Sequence, residues 1–377
     1  MLSSFCLIIR FQKIKIAIYN FIFAIKYSSK IMKKLILIPI FAIVFSAFSQ
    51  EKKSYQIGVI GFYNLENFYD TIDQPKVKDD EFTPKGPRHY NSSVYLNKID
   101  RLVEVISKVG KEESPDGLSV FGVAEIENES VLKDLVAHPS LSPRGYKIVH
   151  YDSPDERGVD VGLIYNPKYF KVEGSKSLLT PLPDENGYKR KTRDVLWVWG
   201  KYMGEDLHVF VNHWPSRRGG EEASAPGRAI AAKVSKDIID SLTNINPAIK
   251  CIVMGDLNDD PTSPSLTKVL GSKGKIEQIK PGAMYNPWVD FYKKGIGTLA
   301  YNDAWNLFDQ IVISSGFLDK KQTGFFYKGA YIFKRDFMVQ QTGKYKGYPL
   351  RTWDGMIYAR GYSDHFPTYI VVLKAVN

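Results

Sequence analysis

Cysteine is almost missing: the 377 residues hold two, Cys6 and Cys251. A disulfide-stapled scaffold is excluded, and a chain exported in this form has to draw its stability from a large apolar core. A strong excess of one charge is missing too, once the leader is set aside. Residues 1–49 carry seven Lys/Arg and no Asp/Glu, so the formal net charge of +10 falls to about +3 over residues 50–377. Basicity therefore offers no case for nucleic-acid binding. No repeat or low-complexity linker divides residues 50–377, which read as one large domain able to bury a sizeable core. Cys251 sits in an apolar run and is expected to be buried.

From Met32 the leader runs Lys33-Lys34, then LILIPIFAIVFSAF, then Ala47-Phe48-Ser49 ahead of Gln50. A basic start, an apolar run too short for a comfortable membrane span and a small-x-small end describe a signal peptide. We expect residues 1–49 to be such a peptide, cut near Gln50, with the residues before Met32 an extension from a mis-called start codon. Export follows, to the periplasm or the medium. The alternative is an uncleaved anchor helix.

What the rest of the chain has in quantity is short β-type runs: YQIGVIGFYNL, LSVFGVAEI, YKIVHYD, VDVGLIYN, VLWVWGKYM, LHVFVNHW, CIVMGDLN, FDQIVIS and TYIVVL. Several are apolar at nearly every position, which suits sheets covered on both faces; VLWVWGKYM alternates and suits an edge or half-exposed strand. Helical spacing occurs at Leu96, Ile99, Leu102, Val103, Ile106 and Val109, and again at Ile230, Val234, Ile238 and Leu242. Stacked sheets flanked by helices are expected, with long loops at 271–297 and 320–362.

Polar residues gather where these runs end. Asn64 and Glu66 close VIGFYNLEN, Glu125 closes VFGVAEIEN, Asn212 and His213 close HVFVNHW, and Asp256 and Asn258 close CIVMGDLN. Asp309 opens FDQIVIS, and Asp364 and His365 precede the last run. Side chains two apart on an extended segment point the same way, so Asp256 and Asn258 can share a cleft. Each cluster alone has a bland explanation: Asp and Asn as turn-formers, Ser-Asp-His as a helix cap, Glu125 with Glu127 as a solvated loop, Asn212-His213 as a satisfied polar pair. Six of them in one chain favour a common site.

In this order, FYNLEN, VAEIEN, VNHWPS, GDLND, FDQIVIS and SDHFP resemble the endonuclease/exonuclease/phosphatase superfamily, the deoxyribonuclease I-like fold, over residues 55–375. NHWPSRRGG is similar to its exported bacterial members. The resemblance implies an α/β four-layer sandwich, two central mixed β-sheets flanked by helices, and a divalent-metal hydrolase of phosphate esters. It implies Glu125 as the main Mg²⁺ ligand, with Asn64 and Asp364 completing the shell; Mn²⁺ or Ca²⁺ suit the same hard oxygens. His365, paired with Asp309, takes the proton of the attacking water; Asp256 and Asn258 position that water and the phosphoryl oxygens; His213 donates a hydrogen bond or proton to the phosphate or leaving oxygen.

A second tier is less anchored. Arg157 and Tyr165 lie in DERGVDVGLIYN, similar to a family stretch that faces substrate. Arg217 and Arg218, with Ser216 and Arg228, follow His213, and guanidinium groups suit phosphate. Glu66 reads either as a neighbour of Asn64 on one face or as a surface residue, and Gly295–Asp303 as a substrate-side loop. The motif of inositol polyphosphate phosphatases is absent, as is the opening typical of abasic-site repair enzymes. We expect a nuclease of extracellular or periplasmic nucleic acid, monomeric and without a stable protein partner. The alternatives are a phospholipid or small phosphate-ester hydrolase of the same fold, or a non-catalytic binding module.

Overall fold

A computed structural model describes residues 54–376 apart from 185, 186, 188, 189, 320 and 322. The signal-peptide expectation falls on residues 1–49, outside the described residues. Twelve strands form two six-stranded sheets. In chain order they are β1 (Ser54–Phe68), β2 (Val120–Ile126), β3 (Lys147–His150), β4 (Asp160–Tyr165), β5 (Phe170–Leu178), β6 (Val195–Tyr202), β7 (Glu205–His213), β8 (Lys250–Asp256), β9 (Met284–Tyr285), β10 (Asp309–Ser314), β11 (Phe326–Ile332) and β12 (Thr368–Val376). The main helices are α1 (Ser92–Ile106), α2 (Glu129–Ala137) and α3 (Glu221–Ile245).

The first sheet has the order β11-β12-β1-β2-β4-β3 and the second β5-β6-β7-β8-β10-β9. Each has a parallel pair at its centre, β1 with β2 and β7 with β8, among antiparallel neighbours. Each pair is bridged by a helix, α1 in the first case and α3 in the second. A strand, helix, strand crossover returns the chain in the same direction, so both carboxyl ends lie on one sheet edge. That geometry is what gathers the strand-end polar residues.

Alternation along β1 separates the layers. Ile60 and Phe62 join a core shared by both sheets with Leu163, Val209, Ile252, Ile311 and Ile370, while Val59, Tyr63 and Leu65 face α1 with Leu102, Val103 and Ile106. On the other side α3 lays Ala231, Ala232 and Ile239 on Phe210, Val253 and Val312. Helix, sheet, sheet, helix is the expected four-layer sandwich. α1 begins where Asn91 accepts from the N–H groups of Ser93 and Val94, a cap worth about 1 kcal/mol.

Three expectations need correction. Leu96 is exposed and Val109 lies past the end of α1, because the buried stripe of that helix runs through Lys98, Ile99, Leu102 and Val103 instead. VLWVWGKYM forms β6, which is half-exposed along one face as its alternation suggested, but the edge alternative falls because it lies inside its sheet, between β5 and β7. β11 falls in the stretch expected to be a loop; its Lys328 and Gly329 dilute the apolar alternation, and pairing with β12 supplies the order. Cys251 is buried, as expected.

Candidate active site

Asn64 and Glu125 stand at the ends of β1 and β2, and His213 and Asp256 at the ends of β7 and β8, where they are register partners. Asp309 opens β10 directly opposite Asp256. Local backbone distortion aims these groups. Between Asn64 and Phe68 the β1 register breaks, so that Leu65, Glu66 and Asn67 together oppose one residue, Glu125. Glu66, Asn67, Glu125 and Asn258 all take left-handed φ values, +48°, +50°, +59° and +48°. Non-glycine residues there cost of order 1–3 kcal/mol each and persist where their surroundings over-determine them.

Asp256 is the hub. Its Oδ2 accepts from Asn64 Nδ2 at 3.1 Å and lies 3.7 Å from His213 Nε2 and 3.9 Å from His365 Nε2. Its Oδ1 accepts from the Asn258 N–H at 3.1 Å. His365 Nδ1 and Asp309 Oδ2 are 2.7 Å apart, and the same oxygen accepts from Thr298 Oγ1 at 2.5 Å. Among the described residues His365 Nε2 has no direct hydrogen bond, and His365 lines the cleft. Glu125 Oε2 accepts from the Asn67 N–H at 2.9 Å, while Oε1 has no hydrogen bond among the described residues and lies 4.0 Å from His213 Nε2. Of these, Glu125, His213, Asp256, Asn258 and His365 line a cleft of about 410 Å³ whose lining also includes Arg157, Lys191, Ser216 and Arg218.

Charge and burial assign states. Burial opposes a charge on His365, but the Asp309 carboxylate in contact, with Asp256 and Asp364 beyond it, outweighs that and raises its pKa well above the ordinary histidine value. His213 goes the other way: burial, then the charges of Arg193, Arg157 and His365, push it well below, so it is a neutral hydrogen-bond donor rather than an acid. Burial pushes Asp256 up to about 6 against the pull of His365. Glu125 is also buried, yet Arg157, His365 and the Asn67 N–H hold it below the usual glutamate value, ionised.

The structure does not bring every expected residue here. Tyr165 is at the far end of β4, paired with Val120, five residues from the Asp160 end that meets Ile126, so about 17 Å away along the strand; it packs in the inter-sheet core. Arg217 turns away from the cleft: its guanidinium bonds Asp260 Oδ2 (3.0 Å) and the Asn258 carbonyl (3.0 Å) and lies over Phe308. Arg228 is fully buried against Asp259. Glu66 is buried rather than a surface group, and Glu127 accepts from the Asp70 N–H and Gln74 instead of joining Glu125. Arg157 and Arg218 do line the cleft. Sequence reasoning missed Arg193, buried beneath His213 and donating to the His213 and Trp214 carbonyls and to Asp155; a Thr-Arg-Asp cluster just before β6 was its only signal.

The oxygen set fits a hard divalent cation. Among the described residues Glu125 Oε1 and Asp364 Oδ1 are carboxylate oxygens without hydrogen bonds, and Mg²⁺ or Mn²⁺ binds through one or two carboxylates while keeping waters and substrate oxygens. Asn64 is more committed than expected, its Oδ1 accepting from the Glu66 N–H at 2.9 Å, though a carbonyl oxygen keeps a second lone pair. Asp256, Asp309 and His365 also offer atoms within 4.8 Å of one another, but His365 Nδ1 is spent on Asp309.

These charges predict a pH-dependent stability. Asp256 raised to about 6, Glu66 to about 7, Glu127 to about 8 and His365 well above 6.5 all bind protons more tightly folded than unfolded. Each contribution is complete below the unfolded value and is lost as pH climbs through the folded one. His213, pushed the other way, gains stability as pH rises toward 6.5, so the melting temperature of EDTA-treated protein should fall above that range, from pH 6.5 to pH 8, and saturating Mg²⁺ should shrink that fall. Differential scanning fluorimetry checks both.

Residues 59–374 match the family model described as Endonuclease/Exonuclease/phosphatase family. No curated protein sequence matches the chain. Among solved structures, an endonuclease/exonuclease/phosphatase family protein from Bacteroides thetaiotaomicron is 15% identical with a TM-score of 0.50, covering 86% of this chain and 100% of its own. D. rerio TDP2, complexed with single strand DNA product, is 12% identical with a TM-score of 0.50, covering 84% and 99%. A mannosyl-6-phosphatase from Bacteroides thetaiotaomicron is 17% identical with a TM-score of 0.47, covering 84% and 99%. With the fold, the strand-end carboxylates and a family match over nearly all the described residues, the chain belongs to the endonuclease/exonuclease/phosphatase family.

Proposed function

We propose that the protein is a divalent-metal-dependent phosphodiester hydrolase whose substrate is a strand of nucleic acid. The observation that carries this is the His365 to Asp309 bond of 2.7 Å, which leaves Nε2 open to a cleft shared with Glu125, His213 and Asp256. Deprotonated His365 accepts a proton from water at Nε2 as the water oxygen bonds to phosphorus and the opposite phosphorus–oxygen bond breaks. Asp309 fixes the ring orientation and steadies the resulting imidazolium. Asp256 and Asn258 orient the water and phosphoryl oxygens, and neutral His213 donates a hydrogen bond to an oxygen that gains charge. Glu125, Asp364 and Asn64 would hold the cation, which supplies neutralisation of charge on the phosphoryl group. Arg157, Lys191 and Arg218 in the same lining suit the flanking phosphates; Lys191 and Arg218 have no ion pair among the described residues. Export, resting on Lys33-Lys34, the apolar run and Ala47-Phe48-Ser49, is part of the same proposal.

A phospholipid substrate is the second reading, favoured by Tyr301, which is 70% exposed two residues beyond the cleft residue Leu299. The purified chain is to be incubated with plasmid, single-stranded DNA, RNA, sphingomyelin vesicles and bis-p-nitrophenyl phosphate. The expected result is cleavage of the dye ester and of DNA or RNA, abolished by EDTA and restored by Mg²⁺ or Mn²⁺. Cleavage of the lipid but not the nucleic acids selects the second reading, and no cleavage with any cation overturns the phosphodiesterase reading.

A further inference from the structure

Lys98, Glu66 and Thr352 lie behind the site, and the mechanism above uses none of them. Their exposures are 1%, 1% and 0%. They come from three distant places: α1, the bulge after Asn64, and the segment between β11 and β12. Thr352 links the two charges, its hydroxyl accepting from Lys98 Nζ at 2.5 Å and its N–H donating to Glu66 Oε2 at 2.7 Å. Arg351 beside it reaches two carboxylates, Glu66 Oε1 at 3.4 Å and Asp364 Oδ2 at 3.1 Å.

Taking such charges out of water is costly, and apolar side chains of similar volume often pack as well or better, so stability is a weak reason for them. Where the contacts lead is a better guide. The Glu66 N–H holds Asn64 Oδ1 at 2.9 Å, which fixes the amide so that Nδ2 meets Asp256. Arg351 occupies one oxygen of Asp364 and leaves Oδ1 toward the cleft, 3.9 Å from His365 Nε2. Glu66 and Asn67 do this from left-handed backbone, and Asn67 in turn supplies the N–H that holds Glu125 Oε2. Asn64 and Glu125 are thus held by N–H groups of one bulge, Asp364 is joined to it through the Arg351 contact with Glu66, and the bulge is tied to α1 through Thr352.

We propose that Lys98, Glu66 and Thr352, all buried, and Arg351, whose side chain is half exposed, form a clamp of positioning residues that sets Asn64, Glu125 and Asp364 for a divalent cation, a proposal that rests on the metal-dependent reading above. Mn²⁺ affinity, measured by electron paramagnetic resonance, tests it independently of turnover, alongside hydrolysis of bis-p-nitrophenyl phosphate. Thr352→Val keeps the shape and the backbone donor but removes the hydroxyl; Thr352→Ser restores it. Thr352→Val and Lys98→Met should weaken Mn²⁺ binding roughly tenfold or more, the size of effect seen when groups behind a metal ligand are lost. The Mn²⁺ concentration for half-maximal activity should rise in step, KM for the ester at saturating Mn²⁺ should stay put, and Thr352→Ser should recover wild-type affinity. Wild-type Mn²⁺ affinity in Thr352→Val, shown folded by circular dichroism, overturns the clamp, and that comparison decides the matter even where Lys98→Met fails to fold. Failure of the hydrolase reading looks different: the wild-type chain binds Mn²⁺ but turns over no ester, and the clamp is still decided by the affinities. A wild-type chain that binds no Mn²⁺ at millimolar concentration overturns both.

Discussion

In His365→Ala, hydrolysis of a phosphodiester at saturating Mg²⁺ should fall by about 10³-fold, within the range set by loss of a positioned base, with the melting temperature little changed. Asp309→Asn should give a different signature. In the wild-type protein His365 is held protonated by Asp309 against the opposing effect of burial, so kcat/KM should rise with pH on the alkaline side of the ordinary histidine value. Removing the Asp309 charge leaves burial unopposed at close range, and the rising limb should move to lower pH while its plateau drops. The comparison is made at one Mg²⁺ concentration, from pH 5.5 to 9.5. An unmoved limb in Asp309→Asn would mean that another group titrates and that the pair does not supply the base. Thr298 matters here as well, because its hydroxyl shares Asp309 Oδ2 with His365 and fixes the carboxylate plane.

Much of this site was legible because strand ends are a local property. Asn64, Glu125, His213 and Asp256 each close an apolar run, and a parallel β, helix, β connection puts such ends on one edge whatever the rest of the chain does. Asp309 and His365 are 56 residues apart, and only the common order of motifs connected them. The failures have a shared cause, which is that sequence proximity does not give direction. Arg217 adjoins Arg218, yet one turns inward over Phe308 to Asp260 while the other lines the cleft. Tyr165 shares a strand with Asp160, but the strand carries it to the opposite end. Glu66 gave no sign of burial, since the groups that bury it, Arg351 and Thr352, lie 285 and 286 residues further on.

Asp259→Ala should be among the most damaging single changes to folding, costing about 3–5 kcal/mol, the usual consequence of leaving a buried charge without its partner. Arg228 is 0% exposed, and its Nε sits 2.7 Å from Asp259 Oδ1, off the direction of the N–H, so the contact is one of charge more than of an aligned hydrogen bond. The rest of the guanidinium is satisfied within α3, by Ser224 Oγ at 2.7 Å and the Glu221 carbonyl at 2.8 Å, so loss of the carboxylate leaves its charge buried without a counter-ion. Arg228→Met should cost less, because Asp259 keeps Ser265 Oγ at 2.6 Å and Arg217 at 3.4 Å. The double variant should therefore be more stable than Asp259→Ala alone, a non-additivity expected of contacting charges and read directly from urea unfolding of the four proteins. A loss below about 1 kcal/mol in Asp259→Ala would show that α3 rearranges to hydrate Arg228. The pair also bears on chemistry, since Asp259 follows Asn258, whose carbonyl is held by Arg217 and whose N–H holds Asp256. In the run Asp256, Asn258, Asp259, Asp260 the first two face the cleft and the last two face α3, Arg217 and the Leu307 N–H, so one turn of chain anchors two acids inward in order to present a carboxylate and an amide outward.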